Sequence, residues 1–295
     1  MVKRLESMTL SGREFEVKDF ELIKETILLY PQLSRTELSK TICELLCWYQ
    51  ANGEPKYRAC FKVLERLEAW GHIKAPAWIK QSRGSYKVVI TEGTKPAEVL
   101  NGRVDEYGPV VIEPVRDRKQ GRLWTEYIER YHYLGHKPAF GNQQKYFIRF
   151  ECGKLLGCML YSASAWSIAC RDKWIGWDKD KRTKNLHLVL SNSRFLIFPW
   201  IRIKNLASKV LSLSARQVQK DWFLRYRFRP VLLETFVDNE RFTGGCYRAS
   251  NWRYLGTTAG RGRMDRYHRN LSSLKRVYVL PLAEDFRHIL CWEAN

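Results

Sequence analysis

The stretch LLETFVDNERFTGGCYRASNW, residues 232–252, gathers two carboxylates, a thiol, a phenol, a guanidinium, an amide and an indole behind one apolar run. Glu234 and Asp238 stand four apart on what reads as a strand, so they share a face. Two acids on one face can hold a divalent ion such as Mg2+ or Mn2+, or share acid–base work. Thr235 and Val237 then face the other way, as packing. A plainer alternative has Glu234 buried against an arginine such as Arg194, and Asp238 capping the helix that follows. Tyr247 comes just after Gly244-Gly245, on a short helix. Its phenol could attack a phosphodiester, donate a proton, or simply pack. Cys246 has no histidine beside it in sequence to activate it. His132, at the end of a helix in HYLG, is the first choice for an imidazole general base. The catalytic candidates are therefore Glu234, Asp238, Tyr247 and His132, and the first two are also the candidate metal ligands. Asn251 and Trp252 offer an amide and a ring to a nucleobase; Trp252 would serve equally as core filler.

The charge says what such a site would face. The chain of 295 residues holds 51 Lys and Arg against 31 Asp and Glu, a net +20. The excess is focused: residues 1–80 carry 13 basic and 11 acidic side chains, residues 202–229 eight and one, residues 241–276 nine and one. A focused positive field is the footprint of a polyanion. Nucleic acid is the first candidate and an anionic membrane surface the second. The basic side chains are mostly Arg, which suits bidentate phosphate contacts. In GRGRMDRYHR, residues 260–269, glycines let the backbone come close while Arg261, Arg263, Arg266 and Arg269 each neutralise a phosphate. Arg194, Arg202, Lys204 and Arg248 are further candidate contacts.

These residues need a scaffold, and the patterning supplies one. No apolar run of membrane-spanning length occurs, and the first residues lack a signal-peptide core, which leads one to expect a cytoplasmic protein without a membrane partner. The eight cysteines show no CxxC pair and no zinc spacing, so free thiols are expected. Residues 19–30 read as an amphipathic helix stopped by Pro31. Ser34 and Glu37 make a capping box that opens a helix through about Tyr49. Asn52-Gly53 turns the chain into a second helix, Lys56 to Trp70, capped by Gly71, with HIKAP as a short strand after it. That order suggests a winged helix-turn-helix with Lys56 and Arg58 on the helix offered to DNA; a small helical bundle that only packs is the alternative. Residues 81–110 read as a linker. Residues 111–295 then read as helix, hairpin at Gly153-Lys154, strand 194–200, long helix from Asn205, strand, short helix, strand. Along the long helix Lys209, Arg216 and Lys220 point outward.

That second order resembles the core of GNAT-type acetyltransferases. The expected fold class is thus α/β (α+β): a winged-helix-like helical domain over 1–80, then a GNAT-like mixed-sheet core over 111–295. The resemblance stops at the coenzyme. The glycine-rich turn that would hold acetyl-CoA falls at RIKNLAS, residues 202–208, which has no glycine.

A more specific resemblance runs through the strings HYLG (132–135), IGW (175–177), LVLSNSRFLI (188–197), NLAS (205–208), LLETFVD (232–238), CYRASNW (246–252) and GRGR (260–263). Together they resemble the family of the Druantia anti-phage system protein DruA. The resemblance implies a DNA-directed role in phage defence or in element mobility, beside other defence-system or mobile-element proteins. Three readings stay open at this point. The chain could bind DNA and cut or join strands through the Glu234/Asp238/Tyr247 cluster. It could be a non-catalytic recognition subunit beside a helicase or nuclease. It could be a GNAT-type acyltransferase.

Overall fold

The computed structural model describes residues 7–30, 33–50, 55–76, 88–137, 139, 141–258, 260 and 273–292. The chain divides into two units. One is built mainly from Met1–Gly84; the other takes in Ser85–Ala139, Gln143–Gly260 and Ser272–Asn295.

The first unit opens with an antiparallel hairpin of β1 (Met8–Leu10) and β2 (Arg13–Phe15), followed by α1 (Val17–Leu29), α2 (Arg35–Leu45) and α3 (Tyr57–Ala69). The capping box forms: Ser34 Oγ accepts from the Glu37 N–H, and Glu37 Oε2 accepts from the Ser34 N–H at 3.2 Å. Gly71 ends α3 with a positive φ that a side chain would strain. Phe15, Phe20, Ile23, Leu38, Ile42, Cys60, Val63, Leu64 and Leu67 form the core. Two features depart from the winged-helix expectation. The hairpin precedes the helices, and the described residues of His72–Pro76 form no strand. Side chains take the backbone groups a ladder would have used: Glu68 Oε1 accepts from the Ala75 N–H at 3.1 Å, and Arg35 Nε donates to the Pro76 carbonyl at 2.7 Å.

The second unit is a seven-stranded mixed sheet. In chain order its strands are β4 (Val110–Pro114), β5 (Gln143–Phe150), β6 (Leu155–Ala163), β7 (Val189–Ile197), β9 (Leu232–Asp238), β10 (Arg253–Thr257) and β11 (Lys275–Pro281). Their spatial order is β10-β11-β9-β7-β6-β5-β4. Every neighbouring pair is antiparallel except β7 and β9, which run parallel. That one pair is joined by α7 (Leu206–Tyr226), which buries Leu206, Val210, Leu211, Val218 and Trp222 in the main core with Trp124 and Ile128 of α4 (Arg118–Tyr131). A separate two-stranded parallel sheet pairs β3 (Leu100–Arg103) with β8 (Ile201–Lys204).

The helix, hairpin, strand, long helix and strand order is the one expected. The segment read as a linker, however, carries β3 and a 3-10 turn at Glu92–Thr94. Its anchor is the Glu126 carboxylate on α4, which accepts from the Thr91 N–H and from the hydroxyls of Thr91 and Thr94. The strand expected at 194–200 begins five residues earlier and ends before Pro199. Short elements join the expected ones: α5 (Ala169–Ile175), α6 (Lys179–Asn185), α8 (Gly245–Arg248), β10 and α9 (Phe286–Cys291). No described helix is long and apolar enough to cross a membrane.

The connection from β6 to α5 is pinned to the sheet by a buried charge. Arg171 is fully buried. Its Nη1 donates to Glu234 Oε2 at 2.7 Å and to the Ala165 carbonyl at 2.8 Å, and its Nη2 donates to Asp172 Oδ1 at 2.7 Å. Asp172 also accepts from the Trp177 indole at 3.0 Å and from Arg182 at 3.1 Å. A buried ion pair gains little over an apolar pair, but removing one partner strands the other charge. Arg171→Ala is therefore expected to cost about 3–5 kcal/mol in denaturant unfolding. Arg171→Met combined with Glu234→Leu should recover part of that loss. A single variant within about 1 kcal/mol of the parent would contradict the assignment.

Candidate functional site

The two acids of the LLETFVD strand have different surroundings. Glu234 has no exposed surface; Oε2 receives Arg171 and Oε1 receives the Ala165 N–H at 2.7 Å. The plainer alternative described this residue, with Arg171 in place of Arg194. Asp238 closes the turn after β9: Oδ1 accepts from the Glu240 N–H and Oδ2 from the Ser273 hydroxyl, both at 3.0 Å. The two share a face, yet four residues of extended chain span about 13 Å. One Mg2+ or Mn2+ ion, held at roughly 2.0–2.6 Å from its oxygens, cannot bridge that gap. Among the described residues no three His, Cys, Asp or Glu side chains group as metal ligands. The Glu234/Asp238 pair does not fit a metal.

Beyond Glu234 the parallel pair separates. β7 and β9 pair only over Val189–Ser191 and Leu232–Glu234. β7 then bulges, its register against β6 slipping between Asn192 and Arg194. Tyr247 fills the opening from α8. It is 7% exposed, and its hydroxyl donates to Asn192 Oδ1 at 2.8 Å. Its ring lies edge-on to Trp252 and stacks on Tyr278. Burial pushes the phenol pKa upward, away from the phenolate a nucleophile needs. Cys246 beside it is half-buried, and burial raises its thiol as well. In this arrangement Tyr247 is a buried structural link between β7 and α8.

His132 and Arg194 lie at the outer end of the same opening. His132 Nδ1 accepts from the Leu134 N–H at 3.2 Å. Burial first, and the Arg194 charge second, lower the imidazole pKa to about 4. The ring is thus neutral near pH 7 with its proton on Nε2. That is the form of a hydrogen-bond donor; a base acting through Nε2 would need the proton on Nδ1, where the Leu134 N–H already points. Arg194 Nη1 donates to the Ser193 carbonyl at 2.7 Å and Nε to the Gly135 carbonyl at 3.4 Å. Burial lowers its pKa, and no carboxylate pairs with it among the described residues. Tyr133 stacks on His132 at 4.9 Å, and Arg241 sits 5.2 Å over the Tyr133 ring. The opening thus brings together His132, Arg194, Asp238 and Tyr247 and leaves Glu234 with Arg171. Sequence reading passed over Arg171, Tyr133, Arg241 and Phe242. The Arg241-Phe242 pair beside Asp238 was the available signal.

The remaining candidates are mostly surface cations. Arg202 and Lys204 are exposed on β8, alongside Asn101 and Arg103 on β3. Lys56 and Arg58 are exposed at the start of α3, where Lys40 and Arg58 flank the Tyr57 ring. Arg248 is exposed, and Asn251 occupies an exposed left-handed turn position. Trp252 is 3% exposed and packed on Tyr247, which leaves no face for a base. Arg261, Arg263, Arg266 and Arg269 lie outside the described residues.

The α7 surface is the most regular of these arrays. Residues 202–229 hold eight cations: Arg202, Lys204, Lys209, Arg216, Lys220, Arg225, Arg227 and Arg229. All are exposed, and none forms an ion pair within the described residues. Lys209, Arg216 and Lys220, with Arg227 at the cap, fall at spacings of 7, 4 and 7. At 100° per residue they stay within about 40° of one line, over roughly 27 Å of helix.

Three comparisons place the chain among known proteins. No curated protein matches it. Among the solved structures to which the chain is similar is spermidine/spermine N-acetyltransferase SpeG from Vibrio cholerae, at 8% identity and TM-score 0.37, covering 61% of this chain and 96% of that one. Nourseothricin acetyltransferase follows at 14% identity and TM-score 0.31, covering 48% and 66%. The microcin C7 self-immunity acetyltransferase MccE follows at 8% identity and TM-score 0.30, covering 47% and 61%. The family model described as Druantia protein DruA matches residues 79–274, a span that contains β3 through β10, the α7 array and the opening between β7 and β9. That match covers most of the chain, which is a member of the Druantia protein DruA family.

Proposed function

We propose that this chain is a DNA-binding protein of the DruA type that recognises DNA in anti-phage defence or element mobility, beside partner proteins that supply motor or cleavage activity. The observation that carries the reading is the α7 array. Lysines and arginines on protein surfaces are usually interleaved with acids. Here eight exposed cations face solvent without one ion pair among the described residues, and four follow a single helical line. Such a row matches the regular negative charge of a nucleic acid backbone. Arg202 and Lys204 extend it from β8. Lys56 and Arg58 on α3 offer a second set of contacts, as a helix presented in the manner of a helix-turn-helix would.

Recognition fits the geometry better than strand cutting. A nucleophilic tyrosine must reach a phosphodiester in solvent, whereas the Tyr247 hydroxyl is buried on Asn192. A two-acid metal mechanism needs two carboxylates on one ion, and Glu234 and Asp238 are too far apart. The acyltransferase reading needs a pyrophosphate turn at residues 202–208, where Arg202 and Lys204 lie in a strand paired with β3 and no glycine is present.

The array is tested by salt dependence. Affinity for a duplex is measured against salt for the full chain and for Lys209→Ala/Arg216→Ala/Lys220→Ala. Losing three phosphate contacts should flatten the slope of log K against log salt by about 2–3. All three side chains are exposed, so the melting temperature should stay level. An unchanged slope in a folded variant would remove α7 from the interface.

A further inference from the structure

The residues at the outer end of the β7–β9 opening are not accounted for by backbone packing alone. Tyr133 is 36% exposed and Phe242 is 50% exposed, yet their rings meet in a T-shaped contact at 5.4 Å. Two partly exposed rings side by side offer aromatic surface to solvent, with one face of Tyr133 already stacked on the His132 ring. Arg241 flanks Tyr133 at 5.2 Å from the ring centre, a position from which a guanidinium reaches a phosphate while remaining on the ring. Arg194 reaches the same place from the strand. Its Nε is bound to the Gly135 carbonyl, the end of the His132–Gly135 turn that carries Tyr133. It is half-buried, with carbonyl acceptors and, among the described residues, no carboxylate. Elsewhere in this unit a buried guanidinium is neutralised by acids, as Arg171 is by Glu234 and Asp172. A partly desolvated cation without a counter-charge calls for an anion from outside. The neutral His132 ring, with its proton on Nε2, adds an uncharged donor.

We propose that this mouth holds one unpaired nucleotide of a DNA strand, with its base against Tyr133 and Phe242 and its phosphate at Arg194 and Arg241. The ligand chemistry follows from the pairing of parts. Exposed aromatic rings take the face of any base, and arginines follow the backbone, which is the combination used for single strands. A fully paired duplex keeps its base faces stacked inside and can offer this mouth only phosphate. The inference rests on the DNA-binding reading and narrows it: α7 supplies sequence-independent backbone contact, while the mouth requires a base outside a helix, at a junction, a gap or a single-stranded end.

The test uses the full chain, a single-stranded oligonucleotide with one 2-aminopurine, and a blunt duplex of the same length. Binding of the single strand should quench or shift the 2-aminopurine emission as the base stacks. Tyr133→Ala and Phe242→Ala should each weaken single-strand binding by about 10-fold and leave duplex binding within about 2-fold. Tyr133→Phe keeps the ring and should keep single-strand affinity, which separates loss of stacking from loss of fold. Arg194→Gln should weaken the single strand more than the duplex. Lys209→Ala/Arg216→Ala/Lys220→Ala should weaken both substrates together. Duplex binding by the unaltered chain, with single-strand binding indifferent to Tyr133→Ala and Phe242→Ala, would overturn the nucleotide site and leave the DNA-binding reading standing. Equal losses on both substrates in the Tyr133 and Phe242 variants would also overturn it. Failure of the unaltered chain to bind either DNA would overturn both readings.

Discussion

Arg171 holds a full positive charge with no exposed surface, and the second unit is arranged around making that tolerable. Two carboxylates, Glu234 from the middle of β9 and Asp172 from α5, meet it at 2.7 Å each. The cost of desolvating three charges is offset only because every one is also hydrogen-bonded. Glu234 takes the Ala165 N–H, and Asp172 takes the Trp177 indole. The result is mechanical. The loop leaving β6 and the start of α5 are tied to β9 at the last residue where β9 still pairs with β7. From that point the two parallel strands are free to part, and Tyr247, Asn192 and Thr235 close the inner end of the gap. What remains open is the outer end, where β7 presents Arg194 and the loop after β9 presents Arg241 and Phe242.

Placing charge in two different ways divides the labour. Inside, arginine is neutralised by acids and serves the fold. Outside, along α7 and β8, cations stand exposed with a single acid, Asp221, among them and no ion pair among the described residues. Self-repulsion along such a row destabilises the bare protein slightly and raises its attraction for a polyanion. Arg194 falls between these cases, half-buried and bound, among the described residues, to carbonyls.

Much of this scaffold was legible in the sequence, for local reasons. The Ser34/Glu37 box, the Gly71 stop and the Gly153-Lys154 hairpin are each set by residues within four positions of one another. The outward line of Lys209, Arg216 and Lys220 follows from a 3.6-residue period sustained over 21 residues of α7. Elements of five to seven residues, such as β10, α5 and α9, are too short to show a period. The β1–β2 hairpin has three-residue strands. The site was harder to read. Arg171 and Glu234 are 63 positions apart, and nothing local marks them as partners. Reading the spacing of Glu234 and Asp238 gave their common face correctly but not their separation, since extended chain carries same-face residues about 6.6 Å apart at each step. HYLG drew notice for its histidine, whereas the exposed ring belongs to Tyr133. The role expected of His132 changed with one contact, because the Leu134 N–H occupies the nitrogen that a base would need protonated.

The central claim is that the exposed cations on α7, unpaired among the described residues, meet DNA. Lysine acetylation footprinting of the full chain, with and without a bound duplex, reads it directly by mass spectrometry. Lys204, Lys209 and Lys220 should be protected by DNA, while exposed lysines elsewhere, such as Lys119 and Lys179, label at an unchanged rate. Equal labelling of Lys209 and Lys220 in the free and DNA-bound protein would contradict the account.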